Sequence, residues 1–131
     1  MAAPLARLRA EAPILLALLV VAATAALAWV VRYQFVEPET LGNACEAANQ
    51  GLWWCSWRTG FIVFTKWRGF GIGAGILAVL AVMAPPRLAF RFVVAAMVAG
   101  GMGLLLYDTA YAATAVLFAG LRAVRLQDAP N

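Results

Sequence analysis

The stretch that decides the fold is residues 13–31, PILLALLVVAATAALAWVV, which contains no charged side chain. As an α-helix it would be roughly 28 Å long, close to the hydrocarbon thickness of a bilayer. Pro13 stands where a first helical turn tolerates its missing N–H, and Trp29 and Arg32 suit the far membrane interface. We therefore expect a membrane-spanning helix, helix one, over about residues 13–32.

A cleavable signal peptide is the alternative interpretation of this segment. Arg7 and Arg9 precede the apolar run, and Ala-Leu-Ala at residues 26–28 resembles a cleavage site. The apolar run is long for the core of a signal peptide, so we expect helix one to be retained.

The rest of the chain has the same apolar character. Of its 131 residues, 65% are hydrophobic and only 12% are charged, and the mean hydropathy is +0.85. Charged residues are missing between Glu11 and Arg32 and again between Arg68 and Arg87. This composition lies outside the range of soluble domains. It predicts one all-α integral membrane domain over residues 1–131.

A second span, helix two, is predicted over about residues 60–84, where a pair of prolines then stops it. Two cations near its start, Lys66 and Arg68, leave two arrangements open. One is a continuous helix whose cations reach outward to the lipid headgroups. The other is an interfacial piece near residues 61–67, followed by a span over 69–84.

The C-terminal half is predicted to form a hairpin of helix three, over about residues 88–107, and helix four, over about 109–123. A single helix over the whole stretch would be about 50 Å long, which is more than a tilted span uses. Helix four is short, so three spans plus an interfacial helix four is the alternative. Its sequence has no polar face to support that arrangement, and we favour four transmembrane helices.

Residues 33–58 are rich in turn formers and acids and are predicted to form a loop between helices one and two. Cys45 and Cys55 both lie in this loop, where a disulfide would form in an oxidising compartment. A structural disulfide is the simpler interpretation. A redox-active pair is the alternative, although the chain has no second cysteine pair to relay electrons.

The distribution of basic residues predicts the orientation. With a cytoplasmic N-terminus, six arginines are inside and four cations are outside, a modest bias in the expected direction. The same orientation makes the loop extracytoplasmic and places both cysteines in the oxidising space. We therefore predict a multi-pass protein of a bacterial-type inner membrane with both termini in the cytoplasm.

Indole rings and cations concentrate around the start of helix two. The members of this set are Trp53, Trp54, Trp57, Arg58, Lys66, Trp67 and Arg68. Aromatic faces beside cations can bind a lipid headgroup, a polyprenyl phosphate or a sugar. Interfacial anchoring needs the same residue types. We expect anchoring, with membrane lipids as partners, and keep a specific ligand as the alternative.

Asp108 is the only acid within residues 88–121. Carboxylates inside a membrane often carry protons or pair with a cation. A position at a turn also suits the N-cap of helix four. We expect the cap, with an ion pair to Arg58, Lys66 or Arg68 as a variant.

Glycines indicate where helices pack closely. Gly71 and Gly75 form a Gly-x-x-x-Gly in helix two, and helix three contains Gly100, Gly101 and Gly103. Small residues let helices approach each other in a membrane, either within one chain or against a partner. We expect these five glycines to lie at helix contacts.

Several functional classes lack their signatures. The chain has no histidine, nucleotide-binding loop, catalytic triad or metal motif, and its basic residues form no continuous face despite a net charge of +4. We therefore predict no catalytic residue, no cofactor, no metal and no nucleic-acid partner.

The leading functional hypothesis is a non-catalytic accessory, assembly or stabilising subunit of a larger membrane complex. The expected partner is such a complex or a second copy of the chain. The hypothesis rests on a bundle without polar core residues. A small transporter or flippase-like protein is the second hypothesis, and a membrane thiol-disulfide oxidoreductase is the third.

Overall fold

The computed structural model describes the backbone of residues 2–49 and 51–128, and the side chains of the same residues except 2–10 and 13. Arg7 and Arg9, on which the orientation prediction partly depends, lie outside the described side chains. The helices are α1 (Ala2–Val31), α2 (Glu39–Ala47), α3 (Trp53–Lys66), α4 (Gly69–Met83), α5 (Pro86–Leu105) and α6 (Thr109–Asp128). A π-helical turn, Arg32–Val36, continues α1.

Two of these segments are long and apolar enough to cross a membrane alone: Ile14–Val36, which joins α1 to the π-helical turn, and α5. A third candidate is α3 together with α4, which are bent by 60° relative to each other. The chain is therefore a helical membrane protein with two or three candidate spans among the described residues. The predicted count of four is not confirmed on these grounds, because α6 is less apolar than α5.

The ends of the first helix differ from the prediction. α1 begins at Ala2, well before the expected start near residue 13, because the alanines and leucines that precede the apolar run are themselves good helix formers. The predicted loop over residues 33–58 contains the π-helical turn, α2 and the first part of α3. α2 follows Pro38 and has Glu39 in its first turn, where a carboxylate favours the positive end of the helix.

The second predicted helix is broken, as in one of its two expected arrangements. α3 ends at Lys66 and α4 begins at Gly69. Between them Arg68 has φ 59°, in the left-handed region, and its N–H donates to the carbonyl of Thr65 at 3.0 Å. A left-handed residue is a common way to end a helix. The first piece starts at Trp53 and is therefore longer than the expected 61–67.

The core lies where α4, α5 and α6 meet. Small side chains such as Ala81, Ala96 and Ala119 pack there around Val93 and Met97. α5 and α6 run antiparallel, since Gly103 approaches Ala112 at one end of the pair and Met97 approaches Gly120 further along. α1 packs mainly on α5, and most of its surface is exposed.

The bundle has two ends. The disulfide end comprises α2, the π-helical turn, the start of α4 and the turn between α5 and α6. The proline end comprises the Pro85–Pro86 connection and the last turn of α6. Most hydrogen-bonded polar side chains in the described region lie at the disulfide end.

Candidate functional site: the polar disulfide end of the bundle

A disulfide joins α2 to α3. Cys45 and Cys55 are bonded with their Cα atoms 5.7 Å apart, which confirms the predicted pairing. Both are buried, at 3% and 0% exposure, and the described residues include no free cysteine. Thiol exchange requires an incoming thiolate to reach a sulfur atom, so burial is typical of a structural bond.

Arg58 connects α3 to the end of the first span. Its Nε donates to the carbonyl of Phe35 at 3.0 Å, and one of its terminal nitrogens donates to the carbonyl of Val36 at 2.8 Å. Carbonyls at a helix end lack partners within the helix, and a cation there also favours the helix dipole. Arg58 therefore faces inward as a backbone cap and is not part of the exposed aromatic surface.

Arg32, Glu37 and Tyr107 form a hydrogen-bonded cluster between the ends of α1 and α5. Arg32 Nε donates to Glu37 Oε1 at 2.7 Å, and the Tyr107 hydroxyl donates to the same oxygen at 2.8 Å. A terminal nitrogen of Arg32 donates to the carbonyl of Leu105 at 3.0 Å, and the guanidinium lies 4.4 Å from the Tyr107 ring centroid. The cluster thus fastens the end of α5 to that of α1.

This cluster changes the ionisation of two of its members. Hydrogen bonds from Arg32, and then from Tyr107, hold the pKa of the Glu37 carboxyl below its ordinary value of 4.5. The bond to Glu37 raises the pKa of the Tyr107 hydroxyl above its ordinary value of 10.0, because the ionised tyrosine could no longer donate. Glu37 is therefore an anion and Tyr107 a neutral donor near neutral pH.

The side chain of Asp108 caps α4, whereas the sequence predicted that it would cap helix four, which is α6. Asp108 is only 3% exposed, and its Oδ2 accepts a hydrogen bond of 2.6 Å from the N–H of Gly71, in the first turn of α4. Its main-chain carbonyl accepts from Ala112 N–H at 3.1 Å, so its backbone begins α6 while its side chain serves α4. A Cβ at Gly71 would overlap the carboxylate, which explains why glycine stands there.

The other carboxylate oxygen of Asp108 is unusual. Oδ1 is buried and has no hydrogen-bond partner among the described residues. In the same part of the chain no salt bridge joins Asp108 to Arg58, Lys66 or Arg68, so the ion-pair variant is not seen.

A fourth contact of the same kind lies at the proline end. Arg122 Nε donates to the carbonyl of Ala81 at 3.1 Å, near the end of α4. α4 is thus capped at one end by Asp108 and at the other by Arg122. No local sequence pattern links these capping side chains to their main-chain partners, because each contact joins positions that are far apart along the chain.

The aromatic and basic set does not form one cluster. Trp53, Trp57 and Trp67 are 78%, 74% and 79% exposed, and Lys66 is also exposed, whereas Trp54 is half-buried. Arg68 turns toward α6 and lies 4.9 Å from the ring centroid of Tyr111. The set thus divides into exposed indole rings on α3 and just after its end, an inward cap at Arg58 and a cation against α6.

Four of the five predicted glycines lie at close helix contacts. A Cβ added at Gly71, Gly100, Gly101 or Gly103 would overlap Asp108, Val116, Thr24 or Ala112 respectively. Gly75 is different, since a Cβ there would meet no atom within 4 Å. Within this chain, only Gly71 of the predicted Gly-x-x-x-Gly therefore lies at a close helix contact.

No group of three metal-ligating side chains occurs in the described residues. The hydrogen bonds of Arg32, Arg58, Asp108 and Arg122 instead reach main-chain atoms of other helices, at helix ends whose groups have no partner within their own helix. Comparisons with protein-family models, with curated proteins and with solved structures each found no match to this chain.

Proposed function

We propose that the protein is a non-catalytic, structural protein of a bacterial-type inner membrane. In this role it is a subunit that assembles with or stabilises a larger membrane complex. The observation that carries this proposal is the use of the polar side chains at the disulfide end. Arg32, Arg58 and Asp108 bond to the main chain of other helices, so these groups support the fold rather than face a substrate.

The proposal includes four spans, with α6 as the fourth. α5 and α6 each have 20 residues and would be about 30 Å long. α6 follows α5 from Ala112, beside Gly103, to Gly120, beside Met97, and Arg122 reaches α4 near the proline end. A helix lying flat on the bilayer surface would not follow a spanning helix in this way.

Both termini are placed in the cytoplasm in this proposal. The disulfide then lies in the oxidising compartment, which favours its formation. Arg87, Arg91 and Arg122 belong to the proline end, and positive charge next to spans is enriched on the cytoplasmic side.

The test is a mild-detergent purification of the tagged full chain from its native membrane, with mass spectrometry against an untagged control. We expect a larger membrane complex to co-purify in stoichiometric amount. Recovery of the chain alone would overturn the accessory role. Recovery as a small homo-oligomer would replace it with a self-assembling role.

Transport is the second candidate, and the unpartnered Oδ1 of buried Asp108 is the observation that favours it. Asp108→Asn separates the two functions, because asparagine still accepts from Gly71 N–H but no longer titrates. A structural subunit keeps its complex with this change, whereas a proton-coupled transporter loses its flux.

The buried disulfide leaves the oxidoreductase hypothesis with less support, and cysteines found permanently oxidised in cells would count against it.

A further inference from the structure

An apolar groove runs along the surface of the bundle between α4 and α6. Its volume is about 930 Å³. Gly75 forms part of its floor, where a Cβ would have open space, and Ile76 and Phe118 stand on its two sides. Tyr111 lines the groove at the disulfide end and Met83 at the proline end. Neither α1 nor α3 lines it.

A cation stands at the mouth of this groove. The Arg68 guanidinium lies 4.9 Å from the centroid of the Tyr111 ring, and among the described side chains no carboxylate is within ion-pair distance of it. Arg68 holds a left-handed φ of 59°, which is costly for a residue with a side chain. Arg68 directly precedes α4, and its guanidinium lies beside Tyr111, which lines the groove.

Two helices begin at the mouth. α4 begins at Gly69 and α6 at Thr109, and both positive dipole ends lie here. Asp108 is the opposing charge at this end. Its Oδ2 accepts from Gly71 N–H and its Oδ1 has no hydrogen-bond partner among the described residues, but the residue is buried, whereas Arg68 is exposed. An exposed anion at the mouth would therefore meet Arg68 first.

The length of the groove indicates what it can hold. The α4 residues that line it extend from Gly71 to Met83, about 18 Å of helix, whereas one leaflet of a roughly 30 Å hydrocarbon core is about 15 Å deep. A groove with a cation at the interface and an apolar floor of this depth matches one lipid with an anionic headgroup. A partner helix would not need the cation.

We propose that this groove is a binding site for an anionic phospholipid, with one acyl chain between α4 and α6 and its phosphate beside Arg68 and Tyr111. The site does not depend on the accessory role, because it would be occupied whether or not a larger complex forms.

Native mass spectrometry of the full chain in mild detergent tests the site, with phosphatidylglycerol or zwitterionic phosphatidylcholine as the added probe. Two matched pairs of variants separate the headgroup from the acyl chain. Arg68→Gln is compared with Lys66→Gln, an exposed cation outside the groove. Gly75→Leu, which fills the floor, is compared with Gly73→Leu, which also has open space but does not line the groove.

We expect one retained phosphatidylglycerol. Arg68→Gln should lower its bound fraction about fivefold, as expected for the loss of one cation near a headgroup, while Lys66→Gln changes it less than about twofold. Gly75→Leu should displace phosphatidylglycerol and any bound phosphatidylcholine, whereas Gly73→Leu should displace neither. Equal effects of the two cation variants, or retention of lipid by Gly75→Leu, would overturn the proposal. A dimer that dissociates on Gly75→Leu would also overturn the proposal, because the groove would then hold a second copy of the chain.

Discussion

Asp108 precedes α6 in the chain, yet its side chain stabilises the first turn of α4. Arg58 and Arg122 likewise cap the C-terminal ends of helices, where their side chains donate to carbonyls that have no partner within the helix. Each bond satisfies a main-chain group that a lipid environment would leave without a partner. The polar residues of this protein are therefore best understood through the helix ends that they bond to.

Asp108→Ala tests this use of a carboxylate. The change leaves the buried N–H of Gly71 without an acceptor, so the free energy of unfolding should fall by about 1–3 kcal/mol. Asp108→Asn should cost less, because it keeps an acceptor. Asp128→Ala, which removes an exposed acid at the far end of α6, should change stability by less than about 0.5 kcal/mol. Denaturant unfolding in micelles, followed by tryptophan fluorescence, measures all three.

The Arg32–Glu37–Tyr107 cluster predicts a dependence on acid. The pKa of Glu37 is lowered in the fold, so its contribution to stability is present above the ordinary value of 4.5 and is lost as the pH falls below it. Relative to Glu37→Gln, the wild-type protein should lose stability as the pH falls below the ordinary value of 4.5. Tyr107→Phe removes one of the two hydrogen bonds and should reduce this loss. Equal pH profiles for wild type and Glu37→Gln would contradict the assignment.

Among the helices, the break between α3 and α4 depends on one backbone conformation. Arg68 is left-handed, so Arg68→Gly should be more stable than Arg68→Ala by about 1 kcal/mol, since both lose the contact with Tyr111 but only glycine relieves the strain. At Lys66, the last residue of α3, the order should reverse because its backbone is helical and glycine is the poorer helix former. A lower stability for Arg68→Gly than for Arg68→Ala would show that the break is not held in this form.

The contact between α1 and α5 depends on Gly101. A Cβ there would overlap Thr24 Oγ1 and lie 3.2 Å from the carbonyl of Val21, so Gly101→Ala should destabilise the bundle by about 1–3 kcal/mol. Gly73→Ala is the matched control, because open space surrounds it and alanine favours a helix. Limited proteolysis of α1 beside the unfolding measurement checks whether α1 detaches. Unchanged stability would mean that α1 does not pack on α5 at this point.

Elements with local signals were accessible from the sequence. Paired prolines mark the start of α5, and two cysteines in one polar segment predict their disulfide. The two cations near the start of helix two left a broken helix as one of two open arrangements. α2 was missed because Pro38 and Glu39, which could have indicated its start, lie in a segment rich in turn formers. The caps were missed because their partners, such as Arg32 and Leu105, are distant in the chain.

For the whole molecule, the position of α6 decides the topology. If α6 crosses the membrane beside α5, both termini share one side and the disulfide end faces the other. If α6 lies on the surface at the disulfide end, the C-terminus shares that side with the disulfide. The lipid site and the orientation both depend on the first arrangement.

The most direct test of this architecture is labelling of single added cysteines in the full chain by a membrane-impermeant maleimide. The two native cysteines are buried in their disulfide and give no free-thiol background among the described residues. Thr109→Cys, at the disulfide end, should label in cells whose outer membrane has been made permeable. Gln127→Cys, in the last turn of α6, should label only in inside-out vesicles. Labelling of both from the outer side would contradict the four-span bundle.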